Sequence, residues 1–295
     1  MQKIWSDWLA EASGGRLLIE WAEPNAIYPS AESDLAVEKG AVQIGYSFGS
    51  YYAGRIPEAG LETGPVFAYR NSAEEFQAMM DYGIYDILRE VYAENNIYWV
   101  PCYVDAIVGI GTSFPAPDAA SVQGKKLRGY GSWLQYAELL GASPVAMPLS
   151  DVYMGMKLGT IDGWIAGTSF LKSYNWNEVT TGFVYKPLIG TALSNYLINM
   201  DAYNALPDDL KLVLDSSAHL VTYAASSTFQ NQNNYNLDNA SAQYGMELYA
   251  WPESDIKELT RSVVDEMYPE LAAKSPRCAD IINIIKQQMT DYERL

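Results

Sequence analysis

The sequence predicts an α/β protein of two domains. Three observations carry that prediction. At 295 residues, with 49% hydrophobic and 19% charged positions, the chain is long enough to fill two ordinary cores. Apolar strands alternate with capped amphipathic helices along most of its length. Residues 125–167 read strand, helix, strand, helix, strand; right-handed crossovers would make these strands parallel and align their C-terminal ends along one edge, where α/β sheets bind ligands.

MQKIWSDWLAEASGG spaces Ile4, Trp5, Trp8, Leu9 and Ala12 on one helix face and stops at Gly14 and Gly15. RLLIEW predicts a strand, ESDLAVEKG a short helix ending at Gly40, and AVQIGYS a second strand. NSAEEFQAMMDYGIYDILREVYAENN predicts one or two helices, with Ser72 and Glu75 as a capping box. The apolar strand IYWVPCYV follows, then a loop rich in Pro and Ala, TSFPAPDAAS.

KKLRGY is a strand, and Ser132 with Gln135 caps the helix WLQYAELL, which stops at Gly141. PVAMP is the next strand; Ser150 opens SDVYMGMKL, which stops at Gly159, and TIDGWIAG is a third strand. Arg128, Leu149 and Trp164 fall near the ends of these strands. Residues 190–199, GTALSNYLIN, form another apolar strand. A long helix from about Pro207 to Gln243 opens at LPDDL with acidic residues in its first turn. Its centre, SSTFQNQNNYNLDN, is too polar for a core helix, which suits a helix lying across two domains. The tail from Glu253 predicts two helices broken near Pro276.

Composition excludes several functions. The formal net charge of −17, from 36 acidic against 19 basic side chains, repels nucleic acid and anionic membranes, so an anion could bind only at a local positive pocket. The sequence has no apolar run long enough to span a membrane and no charged-then-apolar leader. Cys102 and Cys278 are compatible with two buried thiols or with one long-range disulfide. The single histidine, His219, sits in an apolar-periodic helix and reads as structural. It has no GxSxG elbow to serve, and no zinc, EF-hand, P-loop or dinucleotide motif occurs, so no metal or cofactor is expected. Many of the 23 tyrosines and 8 tryptophans instead fall in short loops beside glycines, as in GYSFGSYYAG, where rigid rings with polar tips can line a cleft as well as fill a core.

GKKLRGYG and LLGASPVAMPLSDVYMGMKLGTIDGW resemble the signature of the DctP-type solute receptors of tripartite ATP-independent periplasmic (TRAP) transporters. ASGGRLLIEW, VEKGAVQIGYSFGSYYAGRIPE, RNSAEEFQAM and NMDAYNALPDDLK extend the resemblance over nearly the whole chain. It implies a Venus flytrap-like periplasmic solute-binding fold with crossing hinge strands and a long domain-spanning helix. Domain I would comprise 1–105 plus 193–232, and domain II 106–192 plus 233–295, the C-terminal helices packing across both. Family members normally place a strand and a Gly- or Pro-containing loop ahead of the helix matching residues 1–15.

The implied partners are a small organic acid and the TRAP membrane permease, for a monomeric periplasmic receptor. The family's arginine, which grips the ligand carboxylate with two hydrogen bonds, matches Arg128, with Tyr130 and Trp133 beside it. Glu62 and Thr63 precede the matching Pro65, and Leu149 stands where the family uses an aromatic residue. A family asparagine would fall at Ala166, moving its contact to Thr168 or Ser169, and Asp105 stands where some members carry a second arginine. Phe48, Tyr51, Trp164 and Asn195 complete the expected ligand set. Fewer polar partners and more rings imply one carboxylate on a sizeable apolar or aromatic body. Two other readings stay open: an enzyme on a similar scaffold using Asp151 and Asp162, and a sensor-coupled binding protein.

Overall fold

A 16-residue strand, β2 (Ile97–Thr112), is the spine of the molecule. The computed structural model describes residues 2–23 and 25–295, apart from the side chains of 2, 103–107, 218–223, 225, 226 and 229. His219 and Asp105 therefore lie outside the described side chains. At about 3.3 Å per residue, β2 reaches roughly 50 Å, further than one small domain is wide.

The first half of β2 pairs antiparallel with β7 (Gly190–Asn199), from Ile97 opposite Asn199 to Val104 opposite Ala192. β7 pairs in turn with β1 (Ile44–Ser47). A register shift separates Val104 from Val108, and beyond it β2 takes new antiparallel neighbours, β5 (Gly163–Gly167) and β6 (Gly182–Lys186). β5 runs parallel to β3 (Lys126–Gly129), and β3 parallel to β4 (Ser143–Ala146). β6 pairs with β8 (Glu247–Ala250), also parallel. The main path is β1-β7-β2-β5-β3-β4. One sheet thus serves both ends of the molecule.

The three parallel strands of residues 125–167 are as the crossover rule predicts. Several local details differ. Asn71, not Ser72, caps the helix Ser72–Met80, its side chain accepting from Glu74 N at 2.9 Å; it is the extended residue just before the first turn, where a cap must stand. Ser132 likewise does not cap its helix; Gly131, at φ +54°, occupies that position without a side-chain bond. RLLIEW joins no ladder. Leu17, Ile19 and Trp21 pack on the cluster around Trp5 and Tyr196 while Leu18 and Glu20 face out, so packing rather than pairing keeps the segment extended. β6 and β8 were not foreseen, being too short to show a period of their own.

β2 also runs past its predicted end, through GIG, for a packing reason. Gly111 lies opposite Trp164 in the ladder, and a Cβ there would fall 2.1 Å from the indole. Only a bare backbone admits the ring.

The helix Asp208–Tyr244 has 37 residues and spans roughly 55 Å at 1.5 Å per residue. Near its start Leu214 joins the Trp5, Tyr98 and Tyr196 cluster, and Trp5 Nε1 donates to Ser217 Oγ at 2.8 Å. Near its end Ala240 joins Trp164, Trp176 and Phe183. The polar centre has a structural use. Asn233 Oδ1 accepts from Thr168 Oγ1 at 2.9 Å and from Ser169 N at 2.7 Å, and Asn236 Nδ2 donates to Thr168 O at 3.0 Å. All of these groups are buried, so Asn233→Ala is expected to cost about 1–3 kcal/mol by leaving donors unpaired, measurable by urea denaturation.

The last helix, Pro276–Asp291, packs on the helices around residues 57–94; Gln288 Nε2 donates to Glu74 O at 2.8 Å. Cys102 and Cys278 are both free and buried, which decides between the two cysteine readings.

Candidate ligand-binding site

Both halves of the sheet contribute walls to one cavity, which offers about 100 Å³ to the centres of water molecules. That is room for several small-molecule atoms or waters. From the β1 side, the turn Gly49–Tyr51 presents Phe48 and Tyr51, and the turn Pro57–Leu61 leads into Glu62 and Thr63. From the β3 side come Arg128, Tyr130, Ser132 and Trp133. Leu149, Ser169 and Phe170 close another side, and Ala192 and Leu193 of β7 complete it. Tyr51 meets Tyr130 edge-on at 5.0 Å, so rings from opposite walls touch.

Arg128 is the least compensated charge there. It is 1% exposed. Nε donates to Met147 O at 2.7 Å, just past the end of β4, and Nη1 to Ile165 O at 3.4 Å, in the middle of β5. The guanidinium carbon lies 5.3 Å from the Tyr130 ring centre. Among the described residues no carboxylate forms an ion pair with it. Burial pulls its pKa down to about 10, partly offset by the nearby phenols of Tyr51 and Tyr130. It stays charged at neutral pH, and a buried unpaired cation is costly unless an anion joins it. Its remaining N–H groups form the planar fork that matches a carboxylate.

Glu62 stands on the opposite wall, 1% exposed. Its oxygens meet Tyr92 Oη and Asn195 Nδ2, the latter at 2.6 Å. Gly49 makes room for it, since a Cβ there would lie 2.3 Å from Glu62 Oε2. Burial pushes the Glu62 carboxyl up to about 8, although its hydrogen bonds from Tyr92, Asn195 and Gly49 act the other way.

Phe48, Tyr51, Glu62, Thr63, Arg128, Tyr130, Trp133 and Leu149 therefore share one cavity. Three other expected residues do not line it. Trp164 is a core residue, its ring against Trp176 and Phe183 and its Nε1 donating to Thr180 Oγ1 at 3.0 Å. β-strand alternation turns it away from the cavity edge. Thr168 is tied to Asn233, leaving its neighbours Gly167 and Ser169 to face the cavity. Asn195 sits behind Glu62 and supports it. The side chain of Asp105 is outside the description.

Ser50, Phe170, Ala192 and Leu193 were not foreseen. Phe170 had a signal, an apolar ring just after a strand end in GTSF; the β7 residues had none, since alternation alone does not say which face meets a ligand.

Residues 2–275 match the family model described as bacterial extracellular solute-binding protein, family 7. The chain belongs to that family. A curated relative from Nostoc sp., the monocarboxylate 2-oxoacid-binding periplasmic protein, is 24% identical over 231 residues, covering 76% of this chain and 61% of the relative. The chain thus matches about three fifths of that relative's length. Among solved structures, the TRAP transporter solute-binding protein of Bordetella bronchiseptica, with calcium and picolinate, superposes with a TM-score of 0.89 at 20% identity, over 99% of this chain and 87% of that one. The TRAP periplasmic solute-binding protein of Pseudoalteromonas atlantica, with sodium and pyruvate, gives 0.89 at 22%, over 99% and 89%. These likenesses establish the two-domain solute-binding fold of family 7. Family 7 relatives are periplasmic binding proteins, and among the described residues no helix here is long and apolar enough to cross a membrane.

Proposed function

We propose that this family 7 protein is the periplasmic receptor of a TRAP transporter, holding a small monocarboxylate between two lobes and delivering it to a membrane permease. The observation that carries this is Arg128: a buried cation, held by carbonyls and facing a cavity, with no carboxylate partner among the described residues. The relatives' ligands, among them 2-oxo acids, pyruvate and picolinate, have the carboxylate that such a group would hold.

The lobes follow the sheet, residues 1–105 and 193–232 forming the first and 106–192 and 233–295 the second, with the last helix resting on the first. The aromatic lining favours a ligand with a planar or apolar body. The carboxylate sits on the guanidinium. Glu62 is the one carboxylate among the described lining residues, and its oxygens already accept protein donors. The receptor works as a monomer.

Binding without chemistry is also what the acidic residues favour. Asp162 Oδ2 accepts from Lys126 N at 2.8 Å and Asp151 accepts from Ser150 Oγ at 2.9 Å; neither lines the cavity. The experiment is a thermal-shift screen of pyruvate, picolinate, benzoate and larger aromatic 2-oxo acids, followed by calorimetry. A ligand at 100 times its Kd adds about 2.7 kcal/mol, several degrees in Tm. If no acid in the screen binds more tightly than about 1 mM, the reading is wrong.

A further inference from the structure

Glu62 raises a question that Arg128 does not answer, because a second buried acid in a carboxylate site would repel the ligand. Its surroundings are fixed. Trp99 Nε1, which can only donate, gives its hydrogen to Asn195 Oδ1 at 2.9 Å. That bond turns the Asn195 amide so that Nδ2 points to Glu62 Oε2. Gly49, having no Cβ, lets the carboxyl lie against its backbone and gives it a further hydrogen bond.

Glu62 Oε1 faces Tyr92 Oη, and the Tyr92 and Tyr52 hydroxyls are 2.9 Å apart with either able to donate. Those two phenols are its titratable neighbours, Tyr52 from the first turn and Tyr92 from the helix Ile84–Glu94. Asp34, which acts on Tyr52, is itself paired with Arg55; Arg128 and Tyr130 lie on the cavity's other side, and Tyr51, on the same wall as Glu62, turns its ring to Tyr130. Among the described residues no cation pairs with Glu62.

Two hydrogen-bond patterns satisfy this cluster. With Glu62 ionised, Tyr92 donates to Oε1. With Glu62 protonated, Oε1–H donates to Tyr92 Oη and Tyr92 donates to Tyr52, while Asn195 still serves Oε2. The second pattern leaves one cation, Arg128, to neutralise one ligand carboxylate, so the filled cavity carries no net charge. A ligand ammonium would fare badly at this pole. It needs several acceptors, whereas Tyr92, Asn195 and Gly49 all direct donors at Glu62, and the adjacent lining is Ala59 and Gly60.

We propose that Glu62 determines specificity by remaining protonated in the complex, so that the site takes monoanions such as 2-oxo acids and planar heteroaromatic acids and rejects zwitterionic amino acids. This rests on the receptor reading above. The carboxyl's position near 8 before binding agrees with it, and ligand binding above that pH must then take up a proton.

The test uses matched pairs, pyruvate against alanine and picolinate against pipecolate, titrated calorimetrically at pH 6.5, 7.5 and 9.0 in buffers of different ionisation heat. Pyruvate or picolinate is expected to bind at least about tenfold more tightly than its amino counterpart. Wild-type affinity should fall by about tenfold per pH unit above pH 8, with uptake of one proton, and Glu62→Gln should remove that pH dependence. In the ligand-free protein at pH 7, difference infrared spectroscopy should show a protonated carboxyl band that Glu62→Gln lacks. Binding whose affinity is flat from pH 6.5 to 9.0, equal binding of the amino acids, or no such band overturns the role of Glu62 alone. Failure of all four probes to bind, with the band present, overturns the receptor reading for these acids and the proposal with it. Should Glu62→Gln not fold, the wild-type pH and buffer dependence decides the same question.

Discussion

Arg128→Met is expected to weaken carboxylate binding by roughly 30- to 5,000-fold, the equivalent of about 2–5 kcal/mol for breaking a desolvated charge pair. The ligand-free protein should nevertheless stay within about 2 kcal/mol of wild type. Methionine has a similar length and no charge, so it relieves the burial of an unpaired cation. Against that relief stands the loss of donors to Met147 O and Ile165 O. Calorimetry and urea denaturation on one preparation read both quantities. A large stability loss, or affinity retained within about twofold, would remove Arg128 from the anchoring role.

Trp164→Ala should behave in the opposite way. The indole is fully buried between Trp176, Phe183 and the bare backbone of Gly111. Its removal is expected to cost about 3–5 kcal/mol, from lost burial and the cavity left behind. Ligand affinity of the folded fraction should change only a few-fold. A variant with wild-type stability and lost affinity would return Trp164 to the site.

The contrast between these tryptophan and arginine positions shows where the sequence was legible. Arg128 stood out through the resemblance of GKKLRGYG to the family signature; an arginine at a strand end beside Gly-Tyr-Gly could by itself equally be a surface charge. The strand and helix order was legible for another reason: hydrophobic period and glycine stops are local signals. Trp164 misled because a strand residue near the edge can face either way, and only the position of Gly111 two strands of sequence away shows which side has room for an indole.

Glu62 shows the same limit. The loop before Pro65 marked it as a candidate, but its protonation depends on Tyr92, Asn195 and Gly49, brought together from three separate elements. The polar stretch of the long helix was legible as unusual for a core helix, yet Asn233 and Asn236 within it are buried. Its task, to receive Thr168 and Ser169 through Asn233, depends on a long-range contact that sequence spacing does not encode. Capping residues were off by one position at Asn71 and lost at Ser132, where a glycine at positive φ made a side-chain cap unnecessary.

Recognition of a carboxylate by one buried guanidinium is tested most directly by titrating the wild-type protein with each screened acid and with its primary amide, picolinate against picolinamide first. The two differ at the group that Arg128 would hold and share the same ring. The acid should bind at least about 100-fold more tightly, as expected for a desolvated charge pair. Equal affinity for acid and amide, or binding of the amide alone, would contradict it.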